Sequence, residues 1–122
     1  MRHDFKKLNV WMKSMDLSVL IYNITIQFPK EEFYALVSQL KRSAVSIPSN
    51  IAEGSGRNSD KEFIQFLSIA YGSSCELDTQ IELSKRLNFI SEETYSIITT
   101  EIIEIQKMIF KLKSKLLNNL EM

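Results

Sequence analysis

Apolar residues recur at alternating steps of three and four in four separate segments of this chain. The last segment holds the rhythm longest, through Tyr95, Ile98, Ile102, Ile105, Ile109, Leu112 and Leu116. A line of this kind falls on one side of an α-helix and has to be buried against a partner surface. Long helices joined by short connections are forced to lie antiparallel to their neighbours, so the pattern predicts an all-α, up-and-down antiparallel four-helix bundle.

The first helix is predicted over about 9–27, with Leu17, Ile21, Ile24 and Phe28 on one line and Trp11, Met15 and Tyr22 widening it. Phe28-Pro29 ends it, because proline disfavours helix in the residue before it and suits a helix start. The second helix is predicted over about 30–53, with Phe33, Val37, Leu40, Ala44, Ile47 and Ile51 inward. Pro48 falls inside that pattern and removes one backbone hydrogen bond, but the stripe continues in phase beyond it, which predicts a kink and not a stop. Gly54 is placed to adopt a left-handed cap.

The third helix, about 59–87, opens on Ser59-Asp60-Lys61-Glu62, a capping box in which Ser59 caps the amide of Glu62 and Glu62 reaches back. Phe63, Leu67, Ala70, Ser74, Leu77 and Ile81 make its stripe, and Asn88 is a candidate left-handed terminator. The fourth, about 91–118, starts at Ser91, followed by Glu92 and Glu93. The three longer helices would measure roughly 30–45 Å at about 1.5 Å per residue.

A chain of 122 residues fits a single domain spanning 1–122. With 44% apolar and 25% charged residues, and only three Gly and two Pro, its composition is globular and poor in the turn formers a β fold needs. Cys75 is the lone cysteine, which precludes an intrachain disulfide and suits a reducing cytoplasm. The stretch Leu17–Ile26 is short and broken by Ser18, Asn23 and Thr25, so no membrane span or signal segment is expected.

His3 is the single histidine, at the very start of the chain. That argues against several chemistries at once. A di-iron bundle needs Glu-x-x-His pairs on its inner faces, a zinc site needs several Cys or His ligands, and a Ser-His-Asp or Cys-His arrangement would need His3 in a cleft. Small helical ribonucleases with an Arg-x4-His motif are excluded on the same ground. A carboxylate-only metal site on Glu residues is the one metal reading left open. Gly54-Ser55-Gly56-Arg57 lacks the Lys-Ser/Thr ending of a phosphate loop and follows a helix instead of a strand, although the start of the third helix, beside Arg57, has exposed amides that an anion could use. The expectation is therefore a protein without catalytic residues, cofactor or metal.

Three further signals bear on function. Gln39, Ser43, Ser46, Asn50, Glu53 and Arg57 follow one another at steps of four and three, a polar line beside the apolar stripe that reads either as an internal seam between helices or as a subunit interface. Ser68, Ala70, Gly72, Ser73, Ser74 and Cys75 form a small-residue run in the third helix. Gly72 costs about 1 kcal/mol there relative to Ala, which the close approach of a bundle neighbour or another subunit would explain. Finally, fifteen basic residues balance fifteen acidic ones, but they are unevenly placed. The fourth helix is acidic early (Glu92, Glu93, Glu101, Glu104) and basic late (Lys107, Lys111, Lys113, Lys115), which complements the helix dipole. In an up-and-down bundle its basic end lies beside Arg2, Lys6, Lys7 and Lys13 and near Arg57 and Lys61, giving one basic and one acidic pole. Lys6, Lys7, Lys13, Lys107, Lys111, Lys113 and Lys115 are thus the candidates for contact with RNA or DNA.

The stretch from Gln39 to Arg57, with its Ile47-Pro48-Ser49-Asn50-Ile51-Ala52-Glu53-Gly54 core, resembles the signature of the bacterial 23S rRNA intervening-sequence protein family. So do Ser59, Glu62-Phe63, Phe66-Leu67, Ala70, Gly72-Ser73 and Glu76-Leu77, the opening Leu8-Asn9-Val10-Trp11 and the Phe28-Pro29 break, so the likeness covers nearly the whole chain. The resemblance implies a small cytoplasmic four-helix bundle that assembles as a homopentamer, with no catalytic residues to carry over. A related branch, the accessory proteins of diversity-generating retroelements, binds a reverse transcriptase and nucleic acid through a basic pentamer surface. Within that frame Gln39, Arg42, Ser46, Asn50, Glu53, Arg57 and Glu76 are expected to form a polar network that sets bundle register and ring assembly. The function expected is a homo-oligomeric accessory or scaffold for RNA or an RNA-handling partner. The alternative is a purely protein-binding module with no nucleic-acid contact.

Overall fold

A computed structural model describes residues 3–121, and in it four α-helices carry the chain: α1 (Asn9–Thr25), α2 (Leu36–Ser55), α3 (Asp60–Arg86) and α4 (Glu92–Glu121). Short 3-10 turns at Phe5–Lys7 and Lys30–Glu32 precede α1 and α2. Arg2 lies outside the described residues. Among the described residues each helix backbone lies against its two neighbours in the order α1–α2–α3–α4–α1 and not against the helix across the diagonal, the arrangement of an up-and-down four-helix bundle. The α2–α3 seam is the most extensive and the α1–α4 seam the least. The inward stripes are fully buried in α2, α3 and α4, from Leu40, Ala44, Ile47 and Ile51 through Phe63, Leu67, Leu77 and Ile81 to Ile98, Ile102, Ile105 and Ile109.

Local chemistry sets the helix ends. Glu62 N–H donates to Ser59 Oγ (3.2 Å), which is the forward half of the capping box, while the Glu62 carboxylate returns to the Ser59 hydroxyl (Ser59 Oγ–H to Glu62 Oε2, 3.3 Å) in place of the Ser59 amide. Thr94 N–H donates to Ser91 Oγ (3.1 Å) at the start of α4. Asn88 adopts φ 63°, with Asn88 N–H donating to Lys85 O and Phe89 N–H to Ser84 O, which is the Schellman termination of α3. The same turn sets Phe89 against Phe28 (ring centroids 5.3 Å apart), tying the end of α1 to the α3–α4 connection.

Helix α2 runs through Pro48. Proline has no N–H to give the carbonyl four residues back, that of Ala44. The missing donor comes from the neighbouring helix, because Ser18 Oγ of α1 lies 3.1 Å from Ala44 O and 2.9 Å from its own helix's Ser14 O. Ser18→Ala is therefore expected to cost about 1–2 kcal/mol by stranding a buried carbonyl. In a Pro48→Ala background, which restores the helix's own donor, the same change should cost much less. Urea melts of the four proteins would test this, and an additive cycle would separate Ser18 from Pro48.

Several sequence expectations are corrected. The second helix does not begin at Lys30: Phe33 N–H and Ala35 N–H close 3-10-type bonds to Lys30 O and Glu32 O, and Ala35 leaves the helical region (φ −121°, ψ −104°) before α2 starts. Phe33 is consequently exposed and outside the core stripe. Gly54 is no left-handed cap. It lies inside α2, buried, where an added Cβ would meet Phe66 Cβ at 2.7 Å and Phe63 Cδ1 at 2.9 Å. Gly72 has the opposite surroundings, exposed and with nothing within 4 Å of where its Cβ would be, so no bundle neighbour explains it.

Candidate nucleic-acid and subunit interfaces

The polar line of α2 divides in the structure. Ser46 Oγ and Ser73 Oγ are hydrogen-bonded at 2.8 Å across the α2–α3 seam, and Asn50 Nδ2 donates to Ser46 O (2.8 Å) and Ser46 Oγ (3.0 Å). This small cluster is the internal seam. One turn further, Arg57 pairs with Glu53 at 3.4 Å in the open, its guanidinium 4.7 Å from the centre of the Phe66 ring. Gln39, Arg42 and Glu76 are exposed and join neither group. The seven residues therefore make one two-helix hydrogen-bond cluster and one surface ion pair, with three side chains left pointing to solvent.

The basic residues divide as well. Beside the start of α1, Leu8 and Val10 face Met108 and Leu112 of α4 across a cleft of about 300 Å³ whose rim carries Lys111 and Lys115. Lys107, Lys111 and Lys115 follow at steps of four along one line of α4, and none of the three makes an ion pair among the described residues. Lys113, seven residues after Gln106, lies on the other edge, because Gln106 Nε2 donates to Ser74 Oγ of α3 at 2.9 Å. Lys6 and Lys7 sit on the N-terminal 3-10 turn, Lys7 4.0 Å from Asp4.

Lys13 is withdrawn from the group. Its ammonium lies 2.8 Å from Glu101 and 3.4 Å from Glu104, and the Glu101 carboxylate in particular holds its pKa above the ordinary lysine value. It clamps α1 to the middle of α4 and is already neutralised. The far pole is mixed instead of acidic, with Lys85 paired to Glu92 (3.1 Å) and Arg86 to Glu82 (3.0 Å). There Tyr95 OH also donates to Glu82 (2.7 Å), which pulls the Glu82 carboxyl below its usual range and raises the Tyr95 phenol. Among the described residues no three His, Cys, Asp or Glu side chains converge on a point that could hold a metal ion, and no helix is long and apolar enough to cross a membrane.

One feature escaped the sequence reading. Met12, Met15, Val19, Tyr22 and Ile26 run along the outside of α1 at steps of three and four and are 40–73% exposed. Met15 and Tyr22 thus do not widen the core stripe; they belong to a second stripe with a heptad rhythm of its own. This face opens into an apolar groove of about 650 Å³ between α1 and α2, lined by Trp11, Met15, Val19, Tyr22, Val45 and Pro48. On the opposite, α3–α4 side, Ile103, Phe110 and Leu117 recur at steps of seven, all at least 45% exposed, on the edge of α4 that bears Gln106. The signal was in the sequence as two interleaved apolar lines per helix, but the sequence could not rank them.

Residues 6–111 match the family model described as 23S rRNA-intervening sequence protein. The fold is also similar to the crystal structure of a protein of unknown function from the S23 ribosomal protein family of Bacteroides thetaiotaomicron VPI-5482. The TM-score is 0.79 at 29% sequence identity, over 86% of this chain and 95% of that one. No curated protein matches the chain.

Proposed function

Since this chain belongs to the 23S rRNA-intervening sequence protein family, we propose that it is a non-enzymatic, homo-oligomeric bundle of the cytoplasm that serves as an accessory or scaffold for RNA or for a partner handling RNA. The observation that carries this reading is the line Lys107, Lys111 and Lys115. A helix dipole stabilises cations only within about the last turn. Helix α4 continues to Glu121 and its last turn holds no basic residue, so the dipole does not account for these lysines. Like charges at i, i+4 also cost a helix about 0.2–0.5 kcal/mol per pair. An external polyanion would offset that cost and explain the placement.

Self-association is supported by the two exposed apolar faces. They lie on opposite sides of the bundle and differ from each other, so a pairing between them is head-to-tail and generates a ring if the rotation closes. The family resemblance sets the expected number of subunits at five, and a ring would repeat the lysine line around one surface.

The test is binding to a structured RNA and a matched duplex DNA across a salt series, for the wild type and a Lys107/Lys111/Lys113/Lys115→Glu variant. Wild-type affinity should fall with salt at a slope of about 0.7–0.9 per phosphate contact, and the variant should lose binding. Absence of binding at low salt would overturn this reading. It would leave the second one, a purely protein-binding module, which the balanced net charge and the apolar α1–α2 groove favour.

A further inference from the structure

We infer that the cleft between the start of α1 and the end of α4 seats one unpaired nucleotide of a single strand, its base on the apolar floor and its phosphate on Lys111 and Lys115. The inference rests on the nucleic-acid reading above and narrows it from any polyanion to a strand with open base faces.

The cleft combines two chemistries that duplex binding does not need together. Lys111 and Lys115 are exposed, and neither has an ion-pair partner among the described residues. Between and beneath them lie Leu8, Met108 and Leu112, half-buried, and Val10, buried, which leave an apolar floor open to solvent. A volume of about 300 Å³ stands at the lower end of ligand-pocket sizes, room for one nucleotide and too little for a helix or a duplex. In a duplex the base faces are stacked inside and only phosphates would reach the lysines. In a single strand every base has a free flat face to lay on an apolar surface. Lys107, one turn along the same line and so about 6 Å away, is placed for the adjacent phosphate. The complementarity is thus cation to phosphate and aliphatic floor to base, in one cleft. An acidic peptide would satisfy the lysines alone.

The experiment compares an unstructured RNA strand, its DNA counterpart and the RNA duplex at equal phosphate concentration, using the full chain at moderate salt. Covering roughly 50 Å² of the floor corresponds to about a tenfold advantage for the strands. RNA and DNA strands held alike would mean that the sugar is not read; an RNA advantage would mean that the 2′-hydroxyl is. Met108→Gln keeps the side chain's length and both lysines, and it should remove the strand preference while leaving duplex binding unchanged. Leu8→Gln repeats the test from α1 should the first variant melt early. Equal binding of strand and duplex by the wild type would overturn the inference while the nucleic-acid reading stands. So would poly-glutamate competing as well as the strand does, or a preference that survives both variants. No binding of any nucleic acid would overturn both.

Discussion

Gly54→Ala is expected to lower stability by about 2 kcal/mol, with a fall in melting temperature of roughly 6–12 °C for a chain of this size. Alanine is the better helix former by about 1 kcal/mol, and Gly54 is helical, so propensity alone predicts the opposite sign. Packing decides otherwise. The new methyl would lie 2.7 Å from Phe66 Cβ, an atom fixed to the α3 backbone, and 2.9 Å from the ring of Phe63, which is fully buried and has no room to turn. Relief requires α2 and α3 to separate along the bundle's most extensive seam. Gly72→Ala is the control: it too is helical, but nothing lies within 4 Å of the new methyl, so within one subunit it should raise stability by up to about 1 kcal/mol. Thermal melts of both variants followed by circular dichroism would test the pair. Equal shifts of the same sign would discard close packing as the reason for Gly54. A Gly72→Ala protein that melts no later and loses mass by light scattering would place a second subunit on that face of α3.

Met15→Glu/Val19→Glu is expected to reduce the particle to a monomer of 14.2 kDa that keeps its helix content and melts at the lower temperature of the single bundle, without the stabilisation that association gives. Both side chains are 40% exposed or more in the single bundle, where surface substitutions usually stay within about 0.5 kcal/mol. In an assembly they lie at the centre of the α1 stripe, and burying an unpaired carboxylate there costs on the order of several kcal/mol at every interface of the ring. The stripe is long enough to matter: from Met12 to Ile26 it follows the helix for roughly 21 Å at about 1.5 Å per residue. Multi-angle light scattering of wild type and variant gives the answer directly. A wild type already at 14.2 kDa would remove the ring and leave the α1–α2 groove to a different protein partner. A variant still at the wild-type oligomeric mass would move the interface elsewhere on the bundle.

Much of the architecture is local and was legible in the residue order. Alternating steps of three and four place the inward residues of α3 and α4 correctly. Ser59, Ser91 and Asn88 act at helix ends through bonds that span only a few residues. The in-phase stripe on both sides of Pro48 announced that α2 would continue, because periodicity survives the loss of one backbone bond. Propensity and periodicity are properties of a single segment, so a single segment suffices to read them.

What a segment cannot contain is the identity of its neighbour. Met15 and Tyr22 share a helical spacing with core residues, and only the packing of α2 and α4 on the other side of α1 turns them outward. Gly54 resembles a helix terminator until Phe63 and Phe66 of α3 are set against it. Lys13 belongs with the basic pole by position, and two carboxylates from α4 take it away. The donor that makes Pro48 tolerable comes from Ser18, thirty residues earlier in the chain. The sequence by itself thus determined that there would be four amphipathic helices in an up-and-down bundle and roughly where each would end. Only the tertiary structure decided which of two apolar lines each helix buries and which charges remain free, because both depend on contacts between residues that the chain brings together from far apart.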